Sequence, residues 1–100
     1  MGGIFMLFHI TSKHNYQTCG TTTGEGQSPE YNRWVEGNDK VKVLGVWPYQ
    51  GLHTVYAIVE SDDIQAVLDL TSDHRTRGTA EVVPVVDGQQ LRKDRGFWGK

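Results

Sequence analysis

Four histidines and one cysteine are the side chains of this 100-residue chain best suited to chemistry. His9 ends an apolar run, His14 and Cys19 flank the polar loop that follows it, His53 opens a later strand, and His74 lies near a helix end. Imidazole and thiolate together suit zinc or copper. If the first and third strands are sheet neighbours, His9, His14, Cys19 and His53 converge at one end or face of the sheet. The arrangement His9-x4-His14-x4-Cys19 is not a zinc-finger spacing. A metal set with His14 and Cys19 at its centre therefore competes with a plainer reading. In that reading His9 is buried and hydrogen-bonded, and His14 and His74 face solvent.

His9 is also the natural general acid or base, because an imidazole entering an apolar cavity stays neutral near pH 7. Tyr56, which can donate a hydrogen bond, joins it as a catalytic candidate. Trp47 and His53 are candidate ligand-binding residues, Trp47 by stacking on a planar molecule. Against this, Trp47 and Tyr56 serve equally well as core or interface aromatics. Cys19 as a nucleophile needs a neighbouring cation. Its loop, Cys19-Gly20-Thr21-Thr22-Thr23-Gly24, lacks the Arg of a phosphatase loop and the Lys of a phosphate-binding loop. Glu60, Asp62 and Asp63 are explained as helix caps, and Asp73-His74 beside Arg75 and Arg77 as a solvated helix end.

Composition narrows the classes. Ten Lys and Arg against twelve Asp and Glu leave a formal charge of −2, which is no footprint for nucleic acid or an acidic membrane. The basic and aromatic end, Arg92 to Lys100, is too short to reverse that. No apolar run reaches the roughly 20 residues that span a bilayer. The apolar start has neither a basic n-region nor a small-residue cleavage site. Met6 can serve as the natural start, which intact mass would decide. A single cysteine rules out an internal disulfide and suits a reducing, cytoplasmic setting.

The elements that must position these residues follow from periodicity. Ile4–Ser12 reads as a buried, central strand. Lys13 to Gln27 is an exposed Thr/Gly loop. Ser28-Pro29-Glu30 reads as a helix start, with Tyr31, Trp34 and Val35 as its apolar stripe and Gly37 as its stop. Val41–Trp47 and Leu52–Glu60 form a hairpin across Pro48-Tyr49-Gln50-Gly51. Val41, Val43 and Trp47 are expected on one face, Leu44 and Val46 on the other. Ser61-Asp62-Asp63 opens a second helix whose inward stripe is Ile64, Val67, Leu68 and Thr71. Thr79–Asp87 is the last strand, and Pro84 places it at a sheet edge or bulge. The order predicts an α+β domain of ferredoxin-like βαββαβ plan, a four-stranded antiparallel sheet with two helices on one face. That domain spans residues 1–88, and 89–100 forms a C-terminal tail that docks on a partner or stays loose.

Two stretches, Met6-Leu7-Phe8-His9-Ile10 and Leu44-Gly45-Val46-Trp47 through Ala57-Ile58-Val59-Glu60-Ser61-Asp62-Asp63, resemble the dimeric α/β-barrel superfamily. Muconolactone isomerases and antibiotic-biosynthesis-type monooxygenases are members of it. The match is closest to an uncharacterised family within it. The segment His14 to Gly37 departs from that pattern, where a longer first helix would stand. The resemblance implies a homodimer with a small-ligand cavity between sheet and helices. It also implies a cofactor-independent enzyme of isomerase or monooxygenase type, with His9 as acid/base. The alternatives are a metal- or small-ligand-binding protein, or a structural or regulatory dimer without chemistry; fold alone does not choose among them.

Overall fold

A computed structural model describes residues 5–100. Ile4, the expected start of the first strand, lies outside them. Four strands form the protein's one described sheet: β1 (Met6–His14), β2 (Lys42–Tyr49), β3 (Thr54–Ser61) and β4 (Gly78–Val85). All neighbours are antiparallel, in the order β2-β3-β1-β4. β1 is thus an inner strand, and β4, which carries Pro84, lies at an edge. The architecture is α+β. No helix among the described residues is long and apolar enough to cross a membrane.

Alternation along β1 sends Phe8, Ile10 and Ser12 to the covered face, where all three are buried. Their partners on β3 are Val59, Ala57 and Val55. Phe8, Ile10, Val41, Ala57 and Val59 build the core with Ala66 and Val67 from the helical layer. That layer consists of α2 (Ile64–Leu70) and α3 (Ser72–Arg77), joined at Thr71. Of the residues expected to open this helix, Asp63 is the one that caps α2, accepting from the Gln65 amide at 2.9 Å. The expected single helix is interrupted because the buried Thr71 hydroxyl donates back to the Val67 carbonyl at 3.0 Å. The inward stripe is corrected too. Ala66, Val67 and Thr71 are buried, whereas Ile64 is 48% exposed.

The first crossover differs most from expectation. No helix forms from Ser28 to Val35. In its place stand the single turn α1 (Gly20–Thr23) and 3₁₀ turns at Tyr16–Thr18, Glu25–Gln27 and Arg33–Glu36. Ser28 forms a local loop with Glu30, its hydroxyl donating to the Glu30 carboxylate at 2.5 Å. Asn32 then takes a left-handed conformation, with φ 60°. Side-chain bonds of this kind compete with the helical ladder, and a stripe of three apolar residues is too short to win. Trp34 still packs against the core.

In β2 the register shifts between Val43 and Gly45. This bulge resets the alternation, so Val43 and Val46 pack on the core. Leu44 and Trp47 remain 47% and 57% exposed, which corrects the predicted faces. A Cβ at Gly45 would overlap the Trp47 indole. The Gly-x-Trp spacing therefore lays the ring flat along the strand. The C-terminal segment holds a further helix, α4 (Gly88–Asp94), capped by Asp87, which accepts from the Gln90 amide at 3.0 Å.

At the start of β4 a Cβ on Gly78 would collide with the Lys13 carbonyl oxygen of β1, whereas one on Gly88 would meet open space. Gly78→Ala is expected to lower stability in urea titrations by about 1–3 kcal/mol, the usual cost of forcing atoms into a packed site. Gly88→Ala in the first turn of α4 should be neutral or slightly stabilising.

Candidate functional site

The covered face of the sheet does not close completely against the helical layer. A cavity of about 750 Å³ lies between β1, the first crossover and α2–α3. Ser12 and His14 form its β1 wall, Tyr31 and Trp34 its crossover wall, and His74 and Arg77 its α3 wall. Each wall follows from a local rule already described. Ser12 faces inward because it continues the Phe8, Ile10 alternation. The break at Thr71 ends α2 and begins α3, the short helix that carries His74. The left-handed Asn32 starts the 3₁₀ turn that brings Trp34 onto the core.

Three polar groups converge there. Ser12 Oγ and His74 Nδ1 lie 2.5 Å apart. Trp34 stands edge-on to the His74 ring, with centroids 4.9 Å apart and planes at 89°. Trp34 Nε1 is buried and has no hydrogen-bond partner among the described residues. A buried donor left in that state costs on the order of 1–3 kcal/mol. Burial pushes the His74 pKa down, opposed by the neighbouring Asp73 charge and reinforced by His14, Arg77 and Arg75. A neutral imidazole keeps one donor and one acceptor. Either the Ser12 hydroxyl donates to Nδ1 and the ring proton sits on Nε2, or the Nδ1 proton is donated to Ser12 and Nε2 is the acceptor. The trio can therefore orient a hydrogen-bonding ligand, and the Ser12–His74 pair can pass a proton to or from it.

Charge around the cavity is mixed. Glu25, Glu30, Asp69 and Asp73 line it together with Arg33 and Arg77. The Arg77 guanidinium grips the Glu25 carboxylate through two contacts of 3.0 and 3.3 Å and lies 4.9 Å above the Tyr31 ring. That hydrogen-bonded pairing holds Glu25 below the usual carboxylate range. The Thr18 hydroxyl donates to the Arg77 carbonyl at 2.8 Å, tying the first crossover to the end of α3. With acids outnumbering bases, the cavity favours a neutral or cationic guest over an anion.

Apart from His74, set aside as part of a solvated helix end, the residues singled out from sequence fall into two groups, neither at the Ser12–His74 pair. His9 and Tyr56 lie on the open face of the sheet, with ring centroids 6.2 Å apart. Trp47 sits opposite Tyr56 in the β2–β3 register. None of the three lines the cavity. His14, Cys19 and His53 do come together, each half-buried, with one ligand atom apiece within 4.8 Å of the others; His9 is not among them. The nearby amides and hydroxyls of Thr21 and Thr22 push the Cys19 pKa down, despite opposing desolvation. Burial pushes the His14 pKa down as well, aided by His53 and Arg77. His74 is the clearest omission: its setting beside Asp73, Arg75 and Arg77 reads as a solvated helix end, yet the ring turns inward. Ser12 carried one signal, since it continues the buried parity of β1. Trp34 was legible as apolar, but the burial of its N–H was not.

A model of a family described as a domain of unknown function, DUF3303, matches residues 6–94, so the chain belongs to that family. No curated protein and no solved structure matches it.

The lowered pKa of His74 has a definite sign in stability. An unfolded histidine protonates near 6.5 while the buried one resists. Stability is therefore full above that value and declines as pH falls below it. Urea unfolding should give a lower stability at pH 5.5 than at pH 7.5. His74→Gln should narrow that gap, with His14 supplying what remains.

Proposed function

We propose that this DUF3303 protein binds a small, uncharged organic molecule that presents a hydrogen-bond acceptor to the cavity beneath its sheet. The observation that carries the reading is the buried, unpartnered Trp34 Nε1 beside the Ser12–His74 pair. The donor is closed off from solvent and cavity alike in the free protein, so a carbonyl or ether oxygen would satisfy it after a small rotation of the indole, and the edges of Trp34 and Tyr31 suit a planar guest. The excess of carboxylates on the walls argues against an anion. Proton transfer through Ser12 and His74 would make the site an enzyme of isomerase type, working without a bound cofactor.

Benzamide serves as the test probe, with benzoate and toluene as charged and acceptor-free counterparts. Of the three indole N–H signals in a nitrogen-edited spectrum, one disappears in Trp34→Phe and is thereby assigned. Benzamide should move that signal, while toluene and benzoate should not. An unmoved Trp34 signal at millimolar benzamide would sink the proposal, as would equal benzamide affinity in Trp34→Phe.

The same reading includes a homodimer of ferredoxin-like subunits. β1 and β3 form the centre of the sheet, and both helices between β3 and β4 lie on one side, which supports that plan. The other side carries Leu44, Trp47, Tyr56 and Val83, each at least 38% exposed. Contiguous apolar surface of this kind is usually covered. The radius of gyration, 15.7 Å, also exceeds the roughly 13 Å of a compact 100-residue domain. A second copy laid face to face would bury the patch. It would also enclose His9 and Tyr56, and their 6.2 Å approach favours a second reading. In that reading isomerase- or monooxygenase-type chemistry runs at these two residues, with Trp47 shaping the pocket; His53, expected beside it, lies instead with His14 and Cys19.

Sedimentation at micromolar concentration should show a dimer, and Trp47→Asp should give a folded monomer. A monomeric wild type rejects the dimer and, with it, the enclosed His9 site.

A further inference from the structure

The cavity reading makes no use of the cluster on its border formed by His14, Cys19 and His53. We propose that these three side chains form a binding site for one zinc ion per chain. They come from three separate parts of the structure. His14 ends β1, Cys19 immediately precedes α1, and His53 closes the turn between β2 and β3. Their nearest ligand atoms all lie within 4.8 Å of one another. Bonds of 2.0–2.3 Å to a tetrahedral zinc would set neighbouring ligand atoms about 3.3–3.6 Å apart, so closure needs side-chain movement on the order of 1 Å.

The backbone holds the two imidazoles in place. The His14 amide donates to the His53 carbonyl at 3.0 Å, and the rings meet edge to face with centroids 5.1 Å apart. His53 has φ 50°, a left-handed position at the end of a turn where glycine or asparagine is at home. All three residues are half-buried, so an ion can enter from solvent.

Two nitrogen donors and one sulfur donor select a borderline-soft cation over magnesium or calcium, which prefer oxygen. Three protein ligands leave a fourth position for water, the pattern of an exchangeable rather than a closed site. On binding, the Cys19 thiol gives its proton to the buffer and the sulfur bonds the metal, while both imidazoles bind neutral. His14 also lines the cavity, so the site borders the proposed ligand pocket without depending on it.

The test uses the full chain stripped with a chelator. Zinc titrated against a chromogenic competitor should bind at one equivalent per chain. Cobalt(II) in its place should give intense tetrahedral visible bands and a sulfur-to-metal charge-transfer band. Cys19→Ser should lose the charge-transfer band. His14→Ala and His53→Ala should each weaken zinc binding by more than the roughly 10–100-fold that loss of an outer-shell partner costs. Circular dichroism of each variant separates ligand loss from unfolding, and the wild-type cobalt spectrum stands whether or not a variant folds. Failure of the wild type to bind zinc at micromolar free ion overturns the proposal. So does a charge-transfer band that survives in Cys19→Ser, or binding of copper(I) alone. None of these outcomes bears on benzamide binding at Trp34, so the two proposals fail separately.

Discussion

The double pairing of β1, with β3 along one edge and β4 along the other, is the constraint on which the rest of this structure depends. An inner strand has no freedom of register, because a slip by one residue would send its whole buried set to the opposite face. Phe8 and Ile10 then lock the helical layer onto the sheet, and Ser12 arrives beneath α3 because it follows them at the same parity. His14 emerges at the far end of that strand, where the β2–β3 turn can reach it. The cavity wall and the metal-type cluster are both consequences of one pairing pattern.

The first crossover shows how a short apolar stripe yields to local hydrogen bonding. A regular helix from Ser28 would have covered the sheet more fully. Turns built on Ser28, Asn32 and Gly37 leave a cavity instead, with the partly buried Trp34 packed against the core from the crossover side. The energetic compromise is visible in the indole N–H, which is buried without a partner. The Glu25–Arg77 pair and the Thr18–Arg77 bond fasten this irregular segment to α3, so the opening is braced at its rim rather than collapsed.

Two faces of one sheet thus carry different chemistry. The covered face holds buried polar groups in a partly closed space, where burial keeps an imidazole neutral and hydrogen bonds are strong. The open face holds Trp47, Tyr56, Leu44 and Val83 around His9, with Glu60 and Glu81 on the same strand parity. Gly45 belongs to this second arrangement, since its missing side chain lets the Trp47 ring lie along β2.

Residue patterns by themselves determined the α+β class, the four strands, their approximate limits and the place where the second helix starts, and narrowed Pro84 to a sheet edge or a bulge. These rest on alternation, capping and turn chemistry, which act over a few residues. The pattern also marked His9, His14, Cys19 and His53 as one potential set, because strand adjacency could be anticipated, and three of the four do meet. It misplaced the first helix, the continuous second helix and the faces of β2, where a single side-chain bond or a one-residue bulge reverses the outcome. Only the tertiary structure decided that His9 stands apart from the other three, that His74 turns inward to Ser12, and that the Trp34 N–H is buried. The reason is physical: whether a polar group meets water, a partner or neither depends on segments tens of residues away, and no local periodicity encodes that meeting.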